Sequence, residues 1–540
     1  MSSSPRREFL KYVAAVVGGI IVGAVAGWFG KPREVIERIV TSTATMPITT
    51  TKTVTKTVTV TPAVPVTPTP TTTPTPTPTP TLPPMEEWLR KVSEPYRGTT
   101  IRLCTESTPS SLWYRDVVAP RFTELTGIKV EFEAVSWDEM YRKTLMDMER
   151  GTGIYDVVYT EQDVAYMYYK KKYTVNLKEL WEEKPELFRP DFNLDDIFIL
   201  PNYTFENGRV IIAIPFEGFV KTYWYRTDLF TDPTEKENFK KKYGWDLRPA
   251  RTWDEYEQIA EFFYRPDKNL YGHTMQAATH PCVGYAFVET YFPTFGVESE
   301  GFPPYPICNW GINLETLGAS VEKGGLVNSK QAIKCFETMM RLLKYAPPGV
   351  KKYTWTETAE AFAAGIVAQG MFYSEFMGTL FFNPARSKVV GKVAPTIPPI
   401  DPEFHKFGKM VIGYYDMGGW AIPHCSKHPE AAWLFIQYMT TAEMDYKRAR
   451  EIGTVTRAST LTRLVGSVID KERGGYFSLL NKYGRIYWGA PPLAAHLILI
   501  EIYWKTIARM VAGEITPKEL SLIHISEPTR PLYISYAVFC

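Results

Sequence analysis

The run from Thr41 to Pro84 constrains this chain most, because it ends in an unbroken Thr-Pro alternation and holds almost nothing that could build a core. Alternating proline fixes φ and removes backbone N–H donors, so the run is predicted to be an extended polyproline-type rod. At about 3.1 Å per residue, such a rod reaches on the order of 100 Å. Its many threonine hydroxyls are typical of an O-glycosylated stalk. The chain is therefore expected to place a stalk between an N-terminal segment and a globular region.

The segment before the stalk, residues 1–40, has the features of an export signal or a membrane anchor. Ser4 to Lys11 is similar to a twin-arginine signal, and the apolar run from Tyr12 to Phe29 is long enough to cross a bilayer. Ala24-Val25-Ala26 is a competing cleavage signal. We favour a retained anchor, since a rod is useful mainly when one end is fixed. The expected location is the extracellular face of the cell membrane, or secretion if the chain is cleaved after Ala26.

Length and composition bound what the rest of the chain does. A chain of 540 residues is too long for one compact core, so at least two lobes are expected. The net charge of +2 and the lack of a basic stripe argue against nucleic acid as a partner. The aromatic content of 14% indicates either large aromatic cores or a ligand cleft lined with rings.

The cysteines and the short motifs give no sign of a cofactor. No pair of the six cysteines has CxxC spacing, which excludes zinc-site and thioredoxin-like patterns. A disulfide between Cys282 and Cys308 is open to an exported protein, although spacing assigns no connectivity. Cys104 lies in an apolar strand pattern and is expected to be buried and unpaired. Neither a P-loop nor an HExxH motif occurs, so no cofactor or metal is predicted.

The globular region begins with an alternation of strands and helices. Strands are predicted around Ile101, from Ile128 to Ala134 and from Ile154 to Tyr159, with helices from Leu112 to Leu125 and from a capping box at Ser136. Helices that alternate with strands indicate an α/β fold with a parallel sheet covered on both faces.

Polar side chains follow the first and third predicted strands, at the edge where such sheets bind ligands. Glu106 and Ser107 come after the first strand, and Glu161 and Asp163 follow the third. Carboxylates at strand ends are suited to accept hydrogen bonds from hydroxyls, although N-capping explains them equally well. The sequence therefore predicts a polar binding edge at these four residues.

A series of short motifs follows in order from about Thr99 to Leu520. The motifs are Thr126 to Val130, Trp137-Asp138-Glu139, Tyr155 to Val158, Ile214-Pro215, Tyr223 to Phe230, Arg251 to Glu255, Ala361 to Gly365 with Gly370-Met371, Gly418 to Ile422, and Pro429 to Trp433. Each motif is short, but the motifs in this order resemble those of the extracellular solute-binding proteins of family 1. These are the maltose-binding-protein-like receptors of ABC importers. One departure is Arg226, where many relatives carry Asn.

The resemblance implies a two-lobed, periplasmic-binding-protein-like fold of type II, with an interlobe hinge that closes on the solute. Lobe one is expected to hold about 99–214 and 400–452, and lobe two about 219–393 and 458–520. The implied function is a monomeric receptor, not an enzyme, that binds a sugar or oligosaccharide. Its implied partners are that carbohydrate solute and the permease and ATPase subunits of the transporter.

Further candidate ligand contacts follow from the chemistry of sugars, which present apolar ring faces and a belt of hydroxyls. Trp420 follows two glycines and is the favoured stacking ring, while Trp113, Trp137 and Tyr223 are weaker candidates because core packing explains them as well. The resemblance adds polar residues of the crossing and cleft segments, which are Glu217, Glu375 and Arg457.

Two alternative functions remain open from the sequence. A glycoside hydrolase uses a pair of carboxyls in a cleft, and this chain has many. Ferric-iron receptors hold the metal with adjacent tyrosines, for which Tyr414-Tyr415 and Tyr168-Tyr169 are the candidates. Ser521 to Cys540 resembles translated sequencing-adapter read-through, so we expect this segment to be non-native and without a part in the fold.

Overall fold

The computed structural model describes residues 84–298, 300 and 307–526. Twelve strands lie in this part of the chain: β1 Thr100–Glu106, β2 Lys129–Val135, β3 Val157–Glu161, β4 Thr204–Phe205, β5 Val210–Ile211, β6 Ile214–Arg226, β7 Cys308–Asn309, β8 Ile312–Asn313, β9 Gln369–Tyr373, β10 Val393–Thr396, β11 Gly413–Ala421 and β12 Tyr487–Trp488. The α-helices are Met85–Val92, Pro109–Trp113, Ala119–Thr126, Trp137–Arg150, Gln162–Lys171, Leu177–Glu183, Thr227–Thr231, Pro233–Tyr243, Trp253–Phe262, Pro281–Ala286, Lys330–Leu342, Trp355–Ala363, Pro429–Met439, Ala442–Glu451, Ala458–Leu464, Val468–Glu472, Tyr476–Tyr483, His496–Ala512 and Pro517–Ser526.

The main sheet runs in the order β10-β6-β11-β3-β1-β2, with β12 paired to β11 and β9 paired to β6. β1 is parallel to both β2 and β3, as the strand–helix alternation predicts. β11 returns antiparallel to β3, with Gly418 opposite Glu161. The predicted α/β class is therefore confirmed, but the sheet is mixed because a late strand inserts beside β3.

β6 joins two hydrophobic cores. Its first half pairs with β11, and its second half pairs with β9 and β10. Phe216 belongs to the core around β1, β2 and β3, whereas Phe219 and Tyr223 belong to a second core built largely from helices. The predicted lobe boundaries stay a prediction, since Phe362, from the stretch assigned to lobe two, packs in the first core.

Several local predictions differ from the structure in detail. The helix predicted from Leu112 to Leu125 is divided by a π-helical turn at Tyr114–Val118. Ser136 precedes the helix Trp137–Arg150 with an extended backbone, but its side chain forms no cap hydrogen bond, so the predicted capping box is wrong. The third strand is Val157–Glu161, which ends two residues later than predicted and makes Glu161 its last residue.

The cysteines that the structure describes are free thiols, and Cys104 is fully buried in β1, as predicted. No disulfide therefore joins Cys282 to Cys308. Among the described residues, no helix combines the length and the apolar character that crossing a bilayer requires. The predicted anchor, residues 1–40, and the predicted stalk, residues 41–84, lie outside the described residues except for Pro84. The last helix, Pro517–Ser526, extends into the segment predicted to be non-native, and residues 527–540 also lie outside the description.

Candidate functional site

A cleft of about 140 Å³ opens at the carboxyl ends of β1 and β3, and side chains from both cores line it. Its lining is dominated by carboxyls and aromatic rings. The carboxyls are Glu106, Glu161, Asp163, Glu289, Glu375 and Asp416. The rings are Trp137, Tyr159, Phe219, Tyr285, Trp355, Tyr373, Phe376 and Tyr414. Rings beside acceptor oxygens suit a ligand that has apolar faces and hydrogen-bond donors.

The four strand-end residues predicted from the sequence all line this cleft. Glu106 ends β1, and Ser107 continues from it with its backbone N–H donating to the Val135 carbonyl at 2.9 Å. Glu161 ends β3, and Asp163 lies in the first turn of the helix that follows. Parallel pairing of β1 with β3 brings these two ends to the same edge of the sheet, and the binding role of the four residues stays a prediction.

Glu161 is held in place by aromatic donors. The Trp137 indole N–H donates to Glu161 Oε2 at 2.8 Å, and the Tyr141 hydroxyl donates to the same oxygen at 3.0 Å. Trp137 is half-buried at the start of its helix, so its ring both orients Glu161 and faces the cleft. The other oxygen, Glu161 Oε1, accepts a longer hydrogen bond from the Tyr159 hydroxyl at 3.5 Å.

Asp163 links the first sheet to elements of the second core. Its Oδ2 accepts a hydrogen bond from the Tyr285 hydroxyl at 2.9 Å and lies 2.8 Å from His496 Nε2. Tyr285 comes from the helix Pro281–Ala286, and His496 begins the helix His496–Ala512. Burial opposes ionisation of Asp163, but the charge of His496 and hydrogen bonds from His496 and Tyr285 keep its pKa below the ordinary value. Asp163 is thus an ionised contact between the two sides of the cleft.

A second ion pair lies at the floor of the cleft. Lys221 Nζ lies 3.1 Å from Glu289 Oε2, and both side chains are about 1% exposed or less. The Tyr373 hydroxyl donates to the same Glu289 oxygen, and the Lys221 ammonium lies 4.9 Å from the centre of the Tyr373 ring. The Glu289 carboxylate is therefore compensated by a cation that is itself out of reach of solvent.

The remaining four lining carboxyls, Glu106, Glu161, Glu375 and Asp416, make no ion pair within the described part of the chain. Burial, reinforced by the charges of Glu217 and Asp163, raises the pKa of Glu106 to about 8. Burial and neighbouring carboxyls also raise the pKa of Glu161, Glu375 and Asp416 well above the ordinary value. With no cation of the described residues beside them, these four carboxyls are favoured in the protonated form, and a nearby positive charge favours their ionised form.

Glu375 was predicted as a cleft residue and lies there. It follows β9, is 9% exposed, and its Oε2 has no hydrogen-bond partner among the described residues. Glu217, also predicted, lies behind the lining and is fully buried, where Thr108 donates to its Oε2 at 3.1 Å. Gly418 passes so close that an added Cβ would lie 2.7 Å from Glu217 Oε1, so β11 needs a glycine there. Burial raises the pKa of Glu217 to about 7.

Besides Glu217, four predicted contact residues are placed outside the cleft lining, and three of them are aromatic. Trp420 is fully buried, with its ring stacked on Phe216 at 3.9 Å between centroids. Trp113 donates its indole N–H to Glu451 Oε2 at 2.6 Å, and Tyr223 is fully buried with its hydroxyl on Gln369.

The fourth is Arg457, which braces the backbone. Its guanidinium donates to the Thr440 and Asn193 carbonyls and pairs with Asp196 at 3.2 Å. Gly418 and Gly419, the two glycines before Trp420, pair with β3 on one side and β6 on the other. This part of β11 therefore lies inside the sheet, and the Trp420 ring packs in the core.

The sequence analysis missed the side chains that the second core contributes. Tyr285, Glu289 and Trp355 come from helical turns, and Asp416 comes from the middle of β11. Glu289 and Asp416 are each a single acid inside an otherwise apolar or aromatic run, and that interruption is the signal by which the sequence could have revealed them. The rings carry no such signal, because apolar helices place similar rings in any core.

The two tyrosines in each pair considered as iron ligands do not place their hydroxyls at one common site. Tyr414 lines the cleft, whereas Tyr415 donates its hydroxyl to the Val455 carbonyl at 3.1 Å. Tyr168 is fully buried, and Tyr169 donates to Glu206 at 2.9 Å. In the described ranges, no group of three or more His, Cys, Asp or Glu side chains is arranged to hold a metal ion.

Residues 105–446 match the family model described as "Bacterial extracellular solute-binding protein". The chain is 25% identical over 372 residues to a probable amino-acid ABC transporter periplasmic-binding protein of Sinorhizobium fredii, an alignment that covers 68% of this chain and 74% of the relative.

Solved structures share the fold. An ABC transporter solute-binding protein of Agrobacterium radiobacter in complex with ribitol matches with a TM-score of 0.65 and 21% identity, covering 81% of this chain and 99% of that one. Maltose-bound MalE3 of T. maritima matches with a TM-score of 0.63 and 17% identity, covering 80% and 100%. A protein of Thermotoga lettingae bound with α-D-tagatose gives a TM-score of 0.62 at 17% identity, covering 80% of this chain and 100% of that one.

Proposed function

Because this chain belongs to the family of bacterial extracellular solute-binding proteins, we propose that it is the receptor of an ABC importer and binds a sugar or polyol in the cleft between its two cores. The observation that carries the proposal is the composition of that cleft, where six carboxyls and eight rings meet at the carboxyl ends of β1 and β3. Solved structures that share the fold hold ribitol, maltose and tagatose, which are all polyhydroxyl molecules.

The proposed roles divide between rings and carboxyls. Trp137 and Trp355 face the cleft from opposite cores and supply flat surfaces for the apolar face of a solute. Glu106, Glu161 and Glu375 supply acceptors for hydroxyl groups, which is the role proposed for them from the sequence. Asp163 and Tyr285 are already bonded to each other across the cleft, so they hold the two sides together around the solute.

The proposal is tested by a thermal-shift screen of the purified full chain against sugars and polyols, followed by titration calorimetry on each hit. For a hit, Trp355→Ala removes a half-buried cleft ring and is expected to weaken binding by about one to two decades, since the lost contact is worth about 1–3 kcal/mol. Trp245→Ala is the matched control, because Trp245 is also half-buried but donates to Gln258 away from the cleft.

An unchanged affinity in Trp355→Ala would place the solute elsewhere and contradict the proposed site. The same incubations separate a receptor from a glycoside hydrolase, because an enzyme releases product from an oligosaccharide and a receptor returns it intact. The anchored, extracellular location and the permease and ATPase partners remain part of the proposal, and cell fractionation with N-terminal sequencing of the mature chain tests the anchor.

A further inference from the structure

The charge balance of the cleft points to a more specific solute chemistry, which rests on the proposed receptor function. Six carboxyls line a space of about 140 Å³, and none of the described residues that line it is Lys, Arg or His. Two of the six are compensated from behind the lining, Asp163 by His496 and Glu289 by Lys221. Four carboxyls therefore face the solute space without a cation supplied by the described residues.

Among the described residues, two carboxyl oxygens at the cleft wall have no hydrogen-bond donor, which indicates a ligand that supplies donors. Glu375 is 9% exposed and its Oε2 has no hydrogen-bond partner within the described part of the chain. Asp163 is 2% exposed, and its Oδ1 is likewise unpartnered although Oδ2 is bonded twice. Buried acceptors without donors are costly, so a ligand that brings several donors to these two oxygens stabilises the site.

A neutral polyol brings donors but no positive charge to balance these carboxyls when they ionise. A protonated amine brings donors together with a positive charge, and charge-assisted hydrogen bonds to carboxylates are about twice as strong as neutral ones. The surrounding rings favour the same charge, because the face of an aromatic ring attracts a cation. Trp355 is placed to act in this way, since it lines the same cleft as Glu375, whereas the Tyr373 ring already has the Lys221 ammonium 4.9 Å from its centre.

We propose that the solute carries a protonated amine on a polyhydroxyl skeleton, as in an amino sugar or an amino polyol, and that Glu375 and Asp416 bind the ammonium group. Asp416 lies on β11 opposite Phe219 of β6, and its Oδ1 accepts the neighbouring Met417 N–H, which leaves Oδ2 for a ligand. The same charge balance argues against a free amino acid, because the carboxylate of such a ligand would meet no free cation in the lining.

The test uses probe pairs in which the ammonium group is replaced by a neutral hydroxyl or acetamido group. Titration calorimetry on the full chain compares 1-amino-1-deoxysorbitol with sorbitol, and glucosamine oligomers with the matching N-acetylglucosamine oligomers. We expect the amine of at least one pair to bind at least tenfold more tightly than its neutral counterpart. If every neutral member binds as tightly as its amine, the inference is overturned while the receptor function stands. If no member of either series binds, both fail.

Two substitutions connect the preference to the named carboxyls. Glu375→Gln and Asp416→Asn keep side-chain volume and remove one charge each, so the amine is expected to lose about tenfold or more in affinity while the neutral counterpart changes much less. Glu182→Gln, at an exposed helix position away from the cleft, is the charge-matched control and is expected to change neither. Equal losses for amine and neutral probe in Glu375→Gln would show a hydroxyl acceptor and overturn the ammonium assignment.

Discussion

Replacing Lys221 by Met removes the cation of the buried pair at the floor of the cleft while keeping most of the side-chain volume. Glu289 is about 1% exposed, so it cannot regain the lost interaction from water. Breaking a buried pair by removing one partner typically costs about 3–5 kcal/mol, because it leaves an uncompensated charge. The alternative open to the protein is to protonate Glu289.

The free energy needed to protonate Glu289 is an upper limit on the cost of Lys221→Met, and this limit depends on pH. Burial raises the pKa of Glu289 above the ordinary carboxyl value of 4.5, although Lys221 and Tyr373 oppose the rise. In the unfolded chain, each pH unit above 4.5 makes protonation of the group cost about 1.4 kcal/mol. Lys221→Met is therefore expected to lower the free energy of unfolding by about 3 kcal/mol at pH 7 and by less than about 1 kcal/mol at pH 5. The sign follows from proton uptake, since the folded variant binds a proton that the unfolded chain releases above pH 4.5.

The assay is chemical denaturation of the ligand-free full chain, followed by tryptophan fluorescence at both pH values. The double variant Lys221→Met/Glu289→Gln carries no buried charge at this position and is expected to recover to within about 1 kcal/mol of the parent. Lys240→Met breaks an exposed pair with Asp246 and is expected to cost less than about 0.5 kcal/mol. An equal loss at pH 5 and pH 7, or no recovery in the double variant, would refute the reasoning.

Two further predictions follow from the placement of buried side chains. Trp420→Ala empties a fully buried site beside Phe216 and is expected to lower the free energy of unfolding by about 3–5 kcal/mol, measured by thermal or chemical unfolding. A loss below about 1 kcal/mol would contradict the buried position and favour the predicted place of the ring in the cleft. Glu106 has a folded pKa raised to about 8, so its protonated form stabilises the empty protein at pH 4.5 and that contribution is lost as the pH rises toward 8. Glu106→Gln should flatten the fall in Tm between pH 5 and 8, and an unchanged slope would contradict the raised pKa.

The parallel arrangement of β1, β2 and β3 and the polar residues at their ends could be predicted, because both depend on local sequence. Alternation of apolar runs with helices sets a parallel arrangement of β1, β2 and β3, and such an arrangement brings the ends of neighbouring strands to one edge. Glu106, Ser107, Glu161 and Asp163 therefore meet in the cleft without any knowledge of the rest of the chain.

The remainder of the site depends on tertiary structure, because strand alternation alone does not decide which β11 side chains reach the cleft. Trp420 and Asp416 lie four residues apart on one strand, a spacing that regular alternation places on one face, but the pairing with β6 shifts register between Gly418 and Gly419. Trp420 stacks on Phe216 in the core while Asp416 lines the cleft. Which ring is buried depends on the packing of β11 between β3 and β6. The partners of Asp163 and Glu289, which are His496 and Lys221, come from positions distant in sequence, and only the folded chain brings them within about 3 Å.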